Sequence, residues 1–163
     1  MGSKIAVYPG TFDPVTCGHV DIIKRASKIF DRVIVSVAHN KTKKPLFSVE
    51  ERVHMLKGAV KGIKNVTVDD FDGLVVRYAR SIGAHVMVRG IRMISDFEYE
   101  FQMALTNRKL AGEIETIFLM PHESHSYVSS KLIKEAALLG ADVRKFVPSG
   151  VGKLLKTKLK NTR

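Results

Sequence analysis

The chain has 163 residues, 45% of them hydrophobic, with 27 Lys and Arg against 16 Asp and Glu and a net charge of +11. That length fits one domain with a real core, no run approaches the roughly 20 apolar residues that cross a bilayer, and the N-terminus lacks a secretory apolar region, so a cytoplasmic protein is expected. A single cysteine, Cys17, excludes an internal disulfide, and the basic surplus points to anionic partners without choosing among nucleic acid, nucleotide and phosphorylated metabolite.

The first predicted strand is the apolar run Lys4 to Tyr8. It leads through Pro9-Gly10-Thr11-Phe12-Asp13-Pro14-Val15-Thr16-Cys17-Gly18-His19 into a segment of helical period that continues to Phe30. A strand therefore ends, a turn passes, and a helix starts with Gly18 and His19 in its first turn. Helix starts carry unpartnered N–H groups and partial positive charge, which is the outline of a phosphate site. Gly10 and Gly18 lack a Cβ and admit unusual backbone angles, while His19 and Thr11 add side-chain donors. The ordinary alternative for His19 is a structural hydrogen bond at a helix start.

Further strands are predicted at Arg32 to Ala38, Asn65 to Phe71, His85 to Val88 and Thr116 to Met120. Helical period marks Val49 to Val60, Leu74 to Ile82 and Phe97 to Leu110. Ser48-Val49-Glu50-Glu51 reads as a capping box, and Gly83 and Gly140 stand where helices should stop. Pro148 suits the first turn of a last helix running through Leu155. Strand and helix alternate without a linker or repeat, so residues 1–163 form one α/β domain, a doubly wound parallel five-stranded sheet covered on both faces, with a helical, lysine-rich tail from about 148. That tail is expected to be a solvated helix face. In such a sheet the ligand sits beyond the carboxyl ends of the strands where strand order reverses, which favours the turn after the first strand.

Several patterns fail. His122-Glu123-Ser124-His125 lacks the spacing of a zinc helix, Gly150-Val151-Gly152-Lys153 lacks the spacing of a P-loop, and no nucleophile elbow is present. A nucleic-acid module is disfavoured, because interleaved aromatics are missing and the Gly18-His19 turn would have no purpose.

Thr16-Cys17-Gly18-His19 behind Tyr8-Pro9-Gly10-Thr11-Phe12-Asp13-Pro14 resembles the T/H-x-G-H signature of the nucleotidyltransferases, which have a Rossmann-like fold. The similarity is closest to the bacterial phosphopantetheine adenylyltransferases. Lys43-Lys44-Pro45 with Glu50-Glu51-Arg52, then Arg89-Gly90-Ile91-Arg92, then Asp96-Phe97-Glu98-Tyr99-Glu100, then Ser126-Tyr127-Val128-Ser129-Ser130 agree in order and spacing. The resemblance implies reversible transfer of the adenylyl group of ATP to 4′-phosphopantetheine, with Mg2+, by direct in-line attack. It implies His19, Thr11, Lys43 and Arg92 as the catalytic set. ATP would meet Thr11, Phe12, His19, Gly90, Ile91, Arg92, Glu100 and His125, Ser126, Tyr127, Val128, Ser129, Ser130 and Lys131. The acceptor would meet Thr11, Lys43, Val75 and Arg89.

Among Lys41, Lys43 and Lys44 the choice of Lys43 rests on the resemblance alone. Asp96, Glu98 and Glu100 could equally be first-turn carboxylates, and Val75 could be core. Lys131 stands where the family usually has a third serine, and Cys17 where it commonly has asparagine. A homohexamer and feedback inhibition by coenzyme A are further implications. A sister activity on nicotinate mononucleotide or glycerol phosphate is the near rival. The residues that would position the metal are unknown at this stage.

Overall fold

The computed structural model describes residues 3–40, 42 and 44–160. Five strands, β1 (Ile5–Gly10), β2 (Arg32–Ala38), β3 (Val66–Phe71), β4 (Val86–Gly90) and β5 (Glu115–Leu119), form one sheet in the order β3-β2-β1-β4-β5. All four neighbouring pairs are parallel. Between them run α1 (Cys17–Ile29), α2 (Val49–Ala59), α3 (Val75–Ser81) and α4 (Ile94–Leu110); α5 (Glu123–Ser126), α6 (Ser130–Leu138) and α7 (Val151–Lys160) follow the last strand.

The chain winds from β1 outward to β3, then crosses to the other side of β1 for β4 and β5. The reversal falls between β1 and β4, so a crevice opens beyond their carboxyl ends, at Gly10 and Gly90. Successive strand residues face opposite sides of the sheet. Ala6 and Tyr8 accordingly join the larger core with Ile22, Leu56, Ile133 and Leu155, whereas Val7 joins a smaller one with Val76, Ala79, Met87 and Ile114.

The expected cover on both faces is incomplete along α4. That helix contributes only Glu100 and Asn107 to the buried set, while Ile94, Phe97, Phe101 and Leu105 are exposed. Boundaries also move. β1 continues past Tyr8 because Pro9 and Gly10 stay in register with Ser36 and Val37 of β2. The fourth helix starts at Ile94, ahead of Phe97, where the carboxylate of Asp96 accepts from the guanidinium of Arg92 across its first turn. The last helix starts at Val151 and reaches Lys160; Pro148 lies in the preceding turn, because Gly150 adopts φ +89° and no helix passes through that angle. The tail is not simply solvated: Val151 and Leu155 are buried, and the Lys158 ammonium donates to both carboxylate oxygens of Glu51 at 2.7 Å.

Candidate active site

At the end of β1 the backbone turns through Phe12 at φ +50°, a left-handed angle that costs a non-glycine residue free energy and persists here inside a buried packing arrangement. The Phe12 ring meets Tyr8 and His19 edge-on, with centroids 5.4 and 5.0 Å away. Gly10 is required by that ring, since a Cβ there would stand 2.9 Å from its atoms. Neither Gly10 nor Gly18 has a positive φ. Their expected role in supplying unusual angles falls instead to Phe12.

The start of α1 closes on itself. The Thr16 hydroxyl accepts from the His19 amide at 3.2 Å, and the Thr16 amide donates to His19 Nδ1 at 3.0 Å. This is a capping box with histidine in the position usually held by Glu or Gln. Because Nδ1 accepts, the neutral ring carries its proton on Nε2. Burial, then the charges of Arg92 and Arg89, push the His19 pKa down from 6.5 to about 3, so the ring is a neutral donor at physiological pH. The helix start itself offers less than expected, since the Cys17 amide already donates to the Phe146 carbonyl at 2.9 Å. Two of its first three amides, those of Cys17 and His19, are thus engaged within the chain, and charged side chains supply the other polar groups nearby.

Those side chains arrive from distant elements. Arg89, at the end of β4, donates to both Glu100 oxygens at 2.7 and 2.6 Å and to the Pro9 carbonyl at 2.6 Å. Burial lowers its affinity for a proton, and Glu100 more than restores it, so Arg89 remains charged. Arg92 donates to Asp96 and, at 2.7 Å, to the Val128 carbonyl, which joins the β4 loop to the segment before α6. Buried Asp13 accepts from the amides of Leu46 and Phe47 at 2.9 Å and from the Lys134 ammonium. Arg52, 1% exposed, donates to the carbonyls of Thr11, Ala38, Phe47 and Ser48. It thus joins the end of β2 to the start of α2.

His19, Arg89, Arg92, Asp13 and Lys134 line a cleft of about 590 Å³ over the crevice. The structure brings Thr11, Phe12, His19, Arg89, Gly90, Arg92, Glu100, Val128, Ser129, Ser130 and Lys131 to it. His125, Ser126, Tyr127 and Ile91 do not line it; His125 instead lies against the start of α1, where a Cβ on Gly18 would stand 3.5 Å from its carbonyl oxygen. Val75 lies in an adjoining cavity of about 220 Å³ that shares Thr11, Arg89 and Glu100 with the cleft. Lys43 lies outside the described residues. Ser129 caps α6 through Leu132 N–H at 3.0 Å, and the Ser130 hydroxyl donates to the Pro14 carbonyl at 2.7 Å, so the structural role of both is present alongside their place in the cleft. Lys131 stands at the rim with its side chain 86% exposed.

Sequence reasoning missed Tyr8, Asp13, Thr16, Asp96 and Lys134, all of which line the cleft. For Thr16 a signal existed, since the T-x-x-H spacing is that of a capping box. Lys134 had none, as its partner Asp13 lies 121 residues earlier. Among the described residues no group of three carboxylate, His or Cys side chains could hold a metal ion. The carboxylates present are engaged: Asp13 with Lys134 and two amides, Glu100 with Arg89, Asp96 with Arg92.

A doubly wound sheet with a histidine locked at the helix start beside its switch point defines a nucleotidyltransferase, and the cytidylyltransferase-like family matches residues 7–136. The fold agrees with a solved bifunctional NMN adenylyltransferase/ADP ribose pyrophosphatase from Francisella tularensis, at a TM-score of 0.75 and 16% identity over 98% of this chain and 50% of that one. Within the class, the chain belongs to the phosphopantetheine adenylyltransferases. It is 55% identical to that enzyme of Desulforudis audaxviator over 95% of both chains, and 52% identical to that of Caldanaerobacter subterraneus over 98% of this chain and 99% of the relative.

Proposed function

We propose that the protein transfers the adenylyl group of ATP to 4′-phosphopantetheine, giving dephospho-coenzyme A and pyrophosphate, as a step of coenzyme A biosynthesis. An oxygen of the acceptor phosphate forms a bond to the α-phosphorus of ATP while the bond from that phosphorus to the β-phosphate oxygen breaks. Pyrophosphate leaves with the electron pair, and the reverse step follows the same path. No covalent intermediate is needed, so catalysis consists of alignment and stabilisation of developing negative charge. The observation that carries this reading is the capping box that orients His19 with its Nε2 proton free, at a cleft that also holds two arginines.

His19 and Arg92 serve the triphosphate. Thr11 and Arg89, on the wall shared with the neighbouring cavity, serve the point where the two substrates meet, and Val75 lies along the acceptor arm. Lys43 is assigned to the acceptor phosphate. Lys131 adds positive charge at the rim where the family usually has serine. Mg2+ is expected to arrive on the triphosphate, because it favours phosphate oxygens and water over an all-protein cage. Bound there, it would neutralise charge on the departing phosphates. The exposed apolar residues of α4 support assembly, for which we propose a homohexamer, and a product-like coenzyme A would compete for the same two cavities. No helix among the described residues is long and apolar enough to cross a membrane, and a cytoplasmic location is proposed.

The test is pyrophosphate release from ATP and Mg2+ with each acceptor in turn. Release with 4′-phosphopantetheine is expected. Release with nicotinate mononucleotide alone would overturn the choice of acceptor.

A further inference from the structure

Tyr8 is 5% exposed and points from β1 into the larger core, where its ring packs edge-on against Phe12. Its hydroxyl makes no hydrogen bond to any described residue, yet it is not sealed off, since no unpartnered side-chain oxygen is fully buried. The residue lines the cleft, beside the end of β4. A hydroxyl that no protein group engages is free to donate to a bound acceptor in place of water. The atom also has a defined neighbourhood: a Cβ built on Gly90 would stand 3.6 Å from it, which places it under the end of β4. Arg89 and Arg92 flank that strand end, and both act on the phenol electrostatically.

On the reading that the cleft takes ATP, we propose that the Tyr8 hydroxyl donates a hydrogen bond to an oxygen of the nucleotide's ribose-phosphate portion, making Tyr8 a nucleotide-binding residue. The positive surroundings select an oxygen-rich acceptor over a base edge. Burial pushes the phenol up to about 12, with Glu100 adding to the rise and the arginines opposing it, so the proton stays available for donation throughout the working range.

Tyr8→Phe removes the hydroxyl and keeps the ring against Phe12. Calorimetric titration of the protein with ATP should show binding weakened roughly tenfold, the size of one hydrogen bond to a charged acceptor. Affinity for 4′-phosphopantetheine and the preference for ATP over GTP should stay unchanged, as should the melting temperature of the ligand-free protein. An unchanged ATP affinity would overturn the inference, and so would an equal loss toward both substrates or a lowered melting temperature without selective loss of ATP. Failure of the unaltered protein to bind ATP would instead sink the proposed function.

Discussion

His19 owes its chemistry to a helix cap. The same two hydrogen bonds that start α1 fix the ring's orientation and its tautomer, so a structural contact and a functional proton are set together. Since the donor acts where charge develops, His19→Ala should lower kcat by roughly 10²–10³-fold with little change in the KM of either substrate; full turnover in a folded variant would remove His19 from the mechanism. The pKa carries a second consequence. Folded His19 stays neutral down to about 3, whereas in the unfolded chain it titrates near 6.5. As pH falls through that window the unfolded state takes up the proton and the folded state does not, so stability declines with acidity. His19→Gln preserves the cap geometry, because glutamine also serves at that position, and removes the titration. Its loss of urea midpoint between pH 7 and pH 5 should be smaller than that of the unaltered protein, and an equal loss would place the titration on another group.

Between elements, Arg52 does the most joining. Its guanidinium satisfies carbonyls at the β1 turn, the end of β2 and the start of α2, and burial lowers its affinity for a proton while Asp13 and then Glu50 counteract the loss. Arg52→Met would leave those carbonyls unpaired and should cost about 3 kcal/mol, read from the denaturant midpoint at unchanged slope. With Lys43 proposed for the acceptor phosphate, the KM for 4′-phosphopantetheine should rise more than that for ATP, since the connection from β2 to α2 loses its anchors; equal rises would mean that Arg52 supports the whole cleft. The five strands and the Ser48–Glu51 capping box were legible because period and cap chemistry are local. Joints such as Arg52 to Thr11, or Ser130 to Pro14, were not, because they pair residues 41 and 116 positions apart. For the same reason Thr11, His19 and Arg92, which their motifs single out, were placed at a site that the structure brings together, whereas Tyr8 read only as strand and Lys134 carried no signal. His125 to Tyr127 stand one step back from the cleft, with His125 packed against Gly18 at its edge.

For the molecule as a whole, the open question of surface is α4. Ile94, Phe97, Phe101 and Leu105 recur at the three- and four-residue spacing of one helix face, and in the single chain that face meets solvent, with Ile94 90% exposed. Contiguous apolar surface of this kind marks contact with another molecule. The same helix holds Glu100 against Arg89, so its position bears directly on the cleft. A closed symmetric assembly would cover the stripe and steady that ion pair together. On the proposed homohexamer, light scattering of the unaltered protein should give six times the chain mass, and Phe101→Glu with Leu105→Glu should yield a smaller species. Because both positions are exposed, the substitutions remove little packing within the chain, and the isolated species should retain its helical circular dichroism. Its kcat should nevertheless fall, since α4 would no longer be braced from outside. A smaller species with full kcat would separate assembly from catalysis, and a monomeric unaltered protein would refute the assembly itself.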